Sequence, residues 1–145
     1  MGSGELSLPA PVLLDTCAAI WLMNGDPMSQ ESRDTISTAQ VQNLGVYISP
    51  ISAWEIGTLT ARNRIQLALD PEIWFERLLD LPGLRLAPMP PGVFIACSFL
   101  PGTPPRDPAD RIIAATARAF GYTLITRNGE LTRYAAAGHL EHIEC

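Results

Sequence analysis

The segment at residues 105–128, PRDPADRIIAATARAFGYTLITRN, constrains the fold of this chain most strongly. Asp107 is a favourable N-cap, Pro108 suits the first helical position, and Asp110 follows beside the free backbone N–H groups of that turn. The apolar residues after them repeat at helical spacing, and Asp110 continues their stripe toward the core. Since an ionised carboxylate is costly there unless something binds it, the segment indicates a helix that begins at a polar site.

Two explanations of these carboxylates stay open at this point. Capping alone accounts for Asp107 and Asp110, because a carboxylate at a helix start accepts backbone N–H groups and complements the helix dipole. A binding site accounts for them equally well if further acids lie at the same place. Asp15, at the end of a short apolar run, presents the same choice between an N-cap and a site residue.

Length and composition indicate one globular domain. The 145 residues are 47% hydrophobic, and they include no apolar run of membrane-spanning length and no secretory signal pattern. Residues 1–4 resemble a cloning remnant, so residues 5–145 are expected to form the domain. The three cysteines are odd in number and scattered, which favours a reduced cytoplasmic protein over a disulfide framework or a zinc site.

The charge of the chain gives no general attraction to nucleic acid. The formal net charge is −5, and all ten positive side chains are arginine. Arginine suits phosphate contacts, but composition bias explains the absence of lysine equally simply. The count therefore favours neither interpretation.

Strand and helix patterns alternate along the chain without an internal repeat. This alternation is typical of an α/β fold of three layers, with a mostly parallel sheet of about five strands flanked by helices. Residues 64–69 are predicted to form a short extended piece or hairpin arm, and the helix at 29–43 is predicted to be exposed. The predicted strands are 11–14, 46–48, 84–88, 123–126 and 140–144. The predicted helices are 16–23, 29–43, 51–61, 70–81, 91–100, one that begins at 107, and 130–137.

Acidic residues from distant parts of the chain meet at one edge of such a sheet. Strand carboxyl ends and helix N-termini share that edge, which is where open α/β sheets bind ligands. Glu55 lies on the flank of an apolar helical stripe, although a solvated Glu with a buried stem remains an alternative. Oxygen donors without nearby Cys or His favour Mg²⁺ or Mn²⁺, and phosphodiester hydrolysis is the natural chemistry. The residues expected at this edge are Asp15, Glu55, Asp107, Asp110 and Asn128.

Other hydrolytic chemistries fit the sequence less well. His139 and His142 are far in sequence from every one of these acids, so a two-histidine ribonuclease is hard to build. A Ser or Cys nucleophile likewise has no histidine beside it. An aspartyl phosphatase would want a second acid two residues after Asp15, where Cys17 stands.

Four segments resemble PIN-domain ribonucleases, and specifically the VapC toxins of bacterial type II toxin–antitoxin pairs. LPGLRLAPMPP resembles the same family, so the resemblance spans nearly the whole chain after the first residues. Each motif is weak alone, but their order and spacing together are specific. The four segments are VLLDTCAAIWL (12–22), SPISAWEIG (49–57), RDPADRIIAATA (106–117) and TLITRN (123–128).

The resemblance implies a role for each acid. Asp15 corresponds to the first metal-binding acid, with Thr16 holding it through a hydroxyl contact. Glu55 corresponds to the acid that orients or deprotonates the attacking water. Asp110 corresponds to the second metal ligand, and Asp107 is an additional acid that could join it.

The chain departs from the family pattern at Asn128, where many members carry a fourth Asp. Asparagine offers a carbonyl oxygen without a charge, so a second metal position would be weaker or absent. Glu130 is an alternative fourth acid. Thr126 is expected to support the site from the end of its strand. The arginines expected to border the site and to contact either RNA phosphates or the acids are Arg106, Arg111 and Arg127.

The resemblance also implies an activity and partners. The implied reaction is Mg²⁺- or Mn²⁺-dependent hydrolysis of RNA, leaving a 5′-phosphate and a 3′-hydroxyl. A small VapB-type antitoxin and a homodimer are implied as assemblies, in the cytoplasm and without a membrane. The alternative is a catalytically weakened PIN domain that only binds RNA or an antitoxin.

Overall fold

The computed structural model of the protein describes residues 9–145, within which five strands alternate with seven helices. The proposed cloning remnant at residues 1–4 lies outside the described residues. No helix in the described part of the chain is long and apolar enough to cross a membrane. The strands are β1 (Val12–Leu14), β2 (Val46–Ile48), β3 (Leu84–Leu86), β4 (Thr123–Thr126) and β5 (His142–Glu144). The helices are α1 (Thr16–Asn24), α2 (Gln30–Val41), α3 (Pro50–Ala61), α4 (Pro71–Leu79), α5 (Pro91–Ala96), α6 (Pro108–Phe120) and α7 (Gly129–Ala136).

The five strands form one sheet in the order β3-β2-β1-β4-β5. All four pairings are parallel, so the predicted mostly parallel sheet is confirmed and is parallel throughout these strands. Val12 pairs with Val46 on one side and with Thr123 on the other. Because β1 is central, its carboxyl end delivers Asp15 to the middle of the sheet edge.

Helices cover both faces of the sheet, since all three residues of β1 are buried and they alternate between two core clusters. Val12 and Leu14 belong to one buried cluster, which also contains Ile36 of α2 and Ile56 of α3. Leu13 belongs to a second cluster, which is formed with α6 and α7. Successive side chains of a strand point to opposite faces, so these two clusters are the two sides of a three-layer α/β fold.

Six of the seven helices begin at a residue whose side chain caps the helix N-terminus. Each of these caps accepts a hydrogen bond from a backbone N–H group of the first turn, which satisfies a donor that the helix itself leaves free. Asp15 and Ser49 come directly after a strand, and Asn128 follows the end of β4 by two positions, so these strands lead almost at once into helices. The capping residues are Asp15, Ser29, Ser49, Asp70, Asp107 and Asn128.

Three local predictions were wrong. Residues 64–69 form no strand, because Ile65, Leu67 and Leu69 pack against the first core cluster without pairing with the sheet. The helix predicted over 91–100 ends at Ala96, after which backbone N–H groups bond three residues back and tighten the chain into a turn. Helix α2 is only partly exposed, since it buries three residues, among them Ile36.

Candidate metal centre

Three carboxylates converge at the carboxyl edge of the sheet. Glu55 on α3, together with Asp107 and Asp110 at the start of α6, each offer one oxygen within 4.8 Å of the others. Asp107 is also the N-cap of α6, and its Oδ2 accepts from the backbone N–H of Asp110 at 3.0 Å. Capping and clustering are therefore both true of Asp107, since the cap uses one oxygen of a carboxylate that has two.

Asp15 lies deeper than this group and is held by protein donors. Its side chain is 4% exposed. Oδ1 accepts from the backbone N–H of Ala18 at 2.7 Å, and Oδ2 accepts from the Thr126 hydroxyl at 2.5 Å. The parallel pairing of β1 with β4 brings Thr126 to that position. Asp15 is not one of the three acids within 4.8 Å, but its charge reaches both Glu55 and Asp110.

The acids raise one another's pKa values. Burial raises the pKa of Asp110 to about 7, and the charges of Asp107, Glu55 and Asp15 contribute to that rise. The pKa of Glu55 is raised by burial and by Asp107 and Asp15, against a lowering contribution from the hydroxyl of Thr16. Without a cation this edge therefore holds carboxylates that resist ionising together.

Thr16 has a different partner from the one expected. Its hydroxyl donates to Glu55 Oε1 at 2.5 Å instead of contacting Asp15, and it lies 2.8 Å from the hydroxyl of Ser52. Since Thr16 has one hydroxyl proton, which it gives to Glu55, Ser52 is the donor to Thr16. Sequence analysis missed Ser52, which is fully buried. The available signal was a polar residue three positions before Glu55 on the helix face that turns inward.

Asn128 contacts the acid cluster as a donor. Its amide oxygen accepts from the backbone N–H of Leu131 at 3.0 Å and caps α7. Its amide nitrogen donates to Asp110 Oδ2 at 3.4 Å. The carbonyl oxygen that was expected to face a metal ion is thus occupied by the helix N-terminus, and the group facing Asp110 cannot ligate a cation.

Arg106 and Glu130 form an ion pair beside the cluster. Arg106 Nε lies 3.2 Å from Glu130 Oε1, with the Arg106 side chain 92% exposed. Hydrogen bonds from the Arg106 side chain and backbone N–H lower the pKa of Glu130. Glu130 therefore faces an arginine, although its charge still contributes to the raised pKa of Asp110.

The other two arginines of the predicted site have structural partners. Arg111 Nε donates to the carbonyl of Pro105 at 2.7 Å. Arg127 donates to the carbonyl of Cys145 at 2.8 Å, and its guanidinium lies 4.0 Å from the ring centroid of Trp21. Arg106, by contrast, is paired among the described residues only with the carboxylate of Glu130, and its side chain is largely exposed.

The neighbouring thiol and the imidazoles offer no competing chemistry. Burial, together with the charges of Asp15, Glu55 and Asp110, raises the pKa of Cys17 to about 11, so its thiol stays protonated at neutral pH. Within residues 9–145, no histidine belongs to a group of potential metal ligands. The site is therefore built from oxygen donors.

This donor set fits a hard divalent metal ion. Carboxylate oxygens at this spacing are typical ligands of such ions, and a cation would offset the repulsion that raises the pKa of Asp110. The cluster of Glu55, Asp107 and Asp110 could therefore bind a metal ion.

The fold and the site together define a class, namely parallel α/β proteins with a carboxylate centre at the carboxyl edge of the sheet. The family model described as the PIN domain matches residues 12–137. The chain belongs to the PIN-domain family. The resemblance seen in the sequence is thereby confirmed.

Similar proteins agree with this assignment. The chain is 32% identical over 120 residues to Ribonuclease VapC22 of Mycobacterium tuberculosis, which covers 83% of this chain and 88% of that protein. VapBC2 from Rickettsia felis, solved bound to a DNA fragment from its promoter, shares the fold with a TM-score of 0.65 and 16% identity, over 92% of this chain and 98% of that chain. FitAcB from Neisseria gonorrhoeae has a TM-score of 0.51 and 20% identity, over 91% and 96% of the two chains.

Proposed function

We propose that this protein is a metal-dependent endoribonuclease and the toxin component of a VapBC-type toxin–antitoxin pair. The convergence of Glu55, Asp107 and Asp110 carries the proposal, because these acids come from two distant segments and meet at the ligand-binding edge of the sheet. The similarity to Ribonuclease VapC22 over most of both chains supports RNA as the substrate.

Mg²⁺ or Mn²⁺ is the proposed cofactor. Asp110, Asp107 and Glu55 would hold it, with Asp15 behind them as the central acid of the edge. When bound, such an ion lowers the pKa of a water molecule and neutralises charge that develops on a phosphate. The raised pKa of Asp110 supports this role. The negative charges around Asp110 disfavour its ionised form, and a bound cation would offset them.

Glu55 is the proposed water-orienting residue. Thr16 donates to Oε1, and Ser52 fixes the orientation of Thr16 in turn. This arrangement leaves Oε2 on the side of the acid cluster, where it could orient the attacking water, and burial raises the pKa of Glu55. The expected products carry a 5′-phosphate and a 3′-hydroxyl.

The other residues predicted for the site act around these acids. Thr126 positions Asp15 by donating to its Oδ2. Asn128 is proposed to position Asp110 through its amide nitrogen, in place of the metal contact that the sequence indicated. A single nuclease domain at residues 5–145 is proposed to contain all of them.

The proposed assemblies are a homodimer and a complex with a small VapB-type antitoxin. The solved structure of VapBC2 is described as bound to a DNA fragment from its own promoter, and its matched chain covers nearly the whole of this fold. An acidic site in a chain of net charge −5 is electrostatically compatible with a basic tail on such a partner.

A weakened PIN domain that only binds RNA or an antitoxin is the second candidate. The observation in its favour is Asn128, which presents a nitrogen to the acid cluster where a fourth carboxylate would add a ligand. In that case Asn128→Asp should create cleavage that the natural protein lacks.

Cleavage of RNA by the purified protein tests the proposal. We expect cleavage with Mn²⁺ or Mg²⁺, loss of cleavage in EDTA, and loss in Asp110→Ala. Glu76→Gln is the matched control, because it removes one negative charge from the exposed face of α4. RNA binding without cleavage at any divalent ion concentration would instead favour the binding module.

A further inference from the structure

A cavity of about 410 Å³ opens beside the metal centre, between the loop that precedes α6 and the outer face of α7. We infer that this cavity is a subsite for a backbone phosphate of the RNA strand, adjacent to the phosphodiester that is cut. The inference rests on the proposed nuclease function. The volume of the cavity is in the range of about 300–1,000 Å³ that is typical of ligand pockets.

The position of the cavity connects it to the acids. Arg106 lines it and immediately precedes Asp107 of the cluster. Glu130 also lines it, and the charge of Glu130 contributes to the raised pKa of Asp110. An RNA strand bound at the acid cluster would therefore pass next to this cavity.

The walls of the cavity are fixed by specific contacts. The Tyr134 hydroxyl donates to the carbonyl of Pro101 at 2.6 Å, which ties α7 to the loop. The rings of Tyr134 and His139 stack with centroids 4.5 Å apart. Gly102 has φ +71°, and a Cβ there would lie 2.3 Å from His139 Nε2. The positive φ and the close approach of the loop to His139 both favour glycine at this position, and these contacts hold the loop against α7.

The charges in the cavity suit a phosphate. Arg106 and Arg133 both line it, Arg106 in contact with Glu130 and Arg133 one helical turn after it on α7. The Arg106–Glu130 pair is exposed and hence weak. A phosphate offers Arg106 a stronger, bidentate acceptor, and Arg133 supplies a second donor group. These two arginines form a local positive site in a chain whose net charge is negative.

The first experiment compares two substrates for one enzyme. A long single-stranded RNA reaches both the acids and the cavity, whereas bis(p-nitrophenyl) phosphate reaches only the acids. We expect Arg106→Ala/Arg133→Ala to lower the ratio of RNA cleavage to cleavage of the small diester by about tenfold, mainly through the KM for RNA. Arg62→Ala/Arg64→Ala is the matched control, since it removes two exposed positive charges elsewhere and should leave the ratio unchanged.

A second variant tests the subsite by a gain. Glu130→Gln removes the carboxylate that competes with phosphate for Arg106. Because loss of its charge also acts on Asp110, the expected readout is a several-fold rise in the ratio of RNA cleavage to small-diester cleavage. An unchanged ratio in the double variant would overturn the subsite. So would an equal loss on both substrates, because the arginines would then support the fold or the acids.

Failure of the proposed function has a separate outcome. If the natural protein cleaves neither substrate, the nuclease proposal fails, and binding of a fluorescently labelled short RNA then decides the subsite alone. The subsite predicts weaker binding and a flatter salt dependence in Arg106→Ala/Arg133→Ala than in the control variant. Equal binding by the two variants would overturn it.

Discussion

Asp15, at the end of β1, and Asp110, at the start of α6, lie at the same edge of the sheet in very different surroundings. Asp15 is almost fully buried, and each of its oxygens accepts a short hydrogen bond from a protein donor. Asp110 is half-buried, and its side chain receives one long contact, from Asn128 at 3.4 Å. Asp110 also has the greater exposure to the neighbouring charges, which help to raise its pKa to about 7.

The difference separates two tasks. Burial raises the pKa of Asp15, and the two protein donors offset part of that rise and define its position without an ion. Asp110 has few donors and several like charges around it, so an ion would stabilise it most. The sheet edge therefore carries one acid held in place by protein donors and a group of acids that a cation would stabilise. The substitutions that follow change either the held acid or the group.

Asp15→Ala should have the largest effect. Removing the fixed acid takes a negative charge from the centre of the edge and leaves the Thr126 hydroxyl without its acceptor. We expect kcat/KM for RNA to fall by at least about a hundredfold, or about 2.7 kcal/mol in transition-state stabilisation. Initial rates with Mn²⁺ measure this. Retention of more than a tenth of the activity would mean that Asp15 is not needed at the site.

Thr126→Val removes the donor and keeps the acid. The buried Asp15 would lose a hydrogen bond that lowers its pKa, and the free energy of unfolding should fall by about 1–3 kcal/mol in urea denaturation.

Thr132→Val is the matched control for this change. Its hydroxyl is buried without a hydrogen-bond partner in the described part of the chain, so its removal breaks no hydrogen bond and should leave the free energy of unfolding unchanged or higher. Equal losses in the two variants would show that the Thr126–Asp15 contact contributes nothing specific.

Asp110→Asn should give the smallest of these changes when thermal stability is measured, and that change should depend on pH. The folded pKa of Asp110 lies above its unfolded value, so the folded protein holds the extra proton between about pH 4 and pH 7 and loses stability as the pH rises through that window. In EDTA, the variant should therefore melt a few degrees above the natural protein at pH 8 and close to it at pH 5. Thermal denaturation at both pH values measures this, and a difference independent of pH would contradict it.

The convergence of the acids was accessible from the sequence because it depends on local signals. Short apolar runs end at Asp15, and an Asp-Pro pair begins the helix that carries Asp110. Once the alternation indicates a parallel sheet, the topology alone brings strand ends and helix starts to one edge. The same reasoning fails at residues 64–69, where alternating apolar residues pack on the core without finding a strand to pair with.

The partners of individual polar side chains were not accessible in this way. A hydroxyl such as that of Thr16 has several acceptors within reach, and the packing of α3 against α1 selects Glu55. The arginines show the same limit, because Arg127 is directed by the ring of Trp21 and by a carbonyl 18 positions away. Such choices depend on the assembled fold, and the sequence around each residue does not encode them.

The central position of β1 has a consequence for the synthesis of this protein. Asp15 is translated before its hydrogen-bond donor, because the hydroxyl that fixes it belongs to Thr126, 111 residues later in the chain. Strand β4, which flanks β1, is made at the same late stage. A growing polypeptide therefore carries its acids as separate, unassembled groups. The ribosome that makes a ribonuclease of this design must translate β4 before a cutting centre can form beside its own RNA.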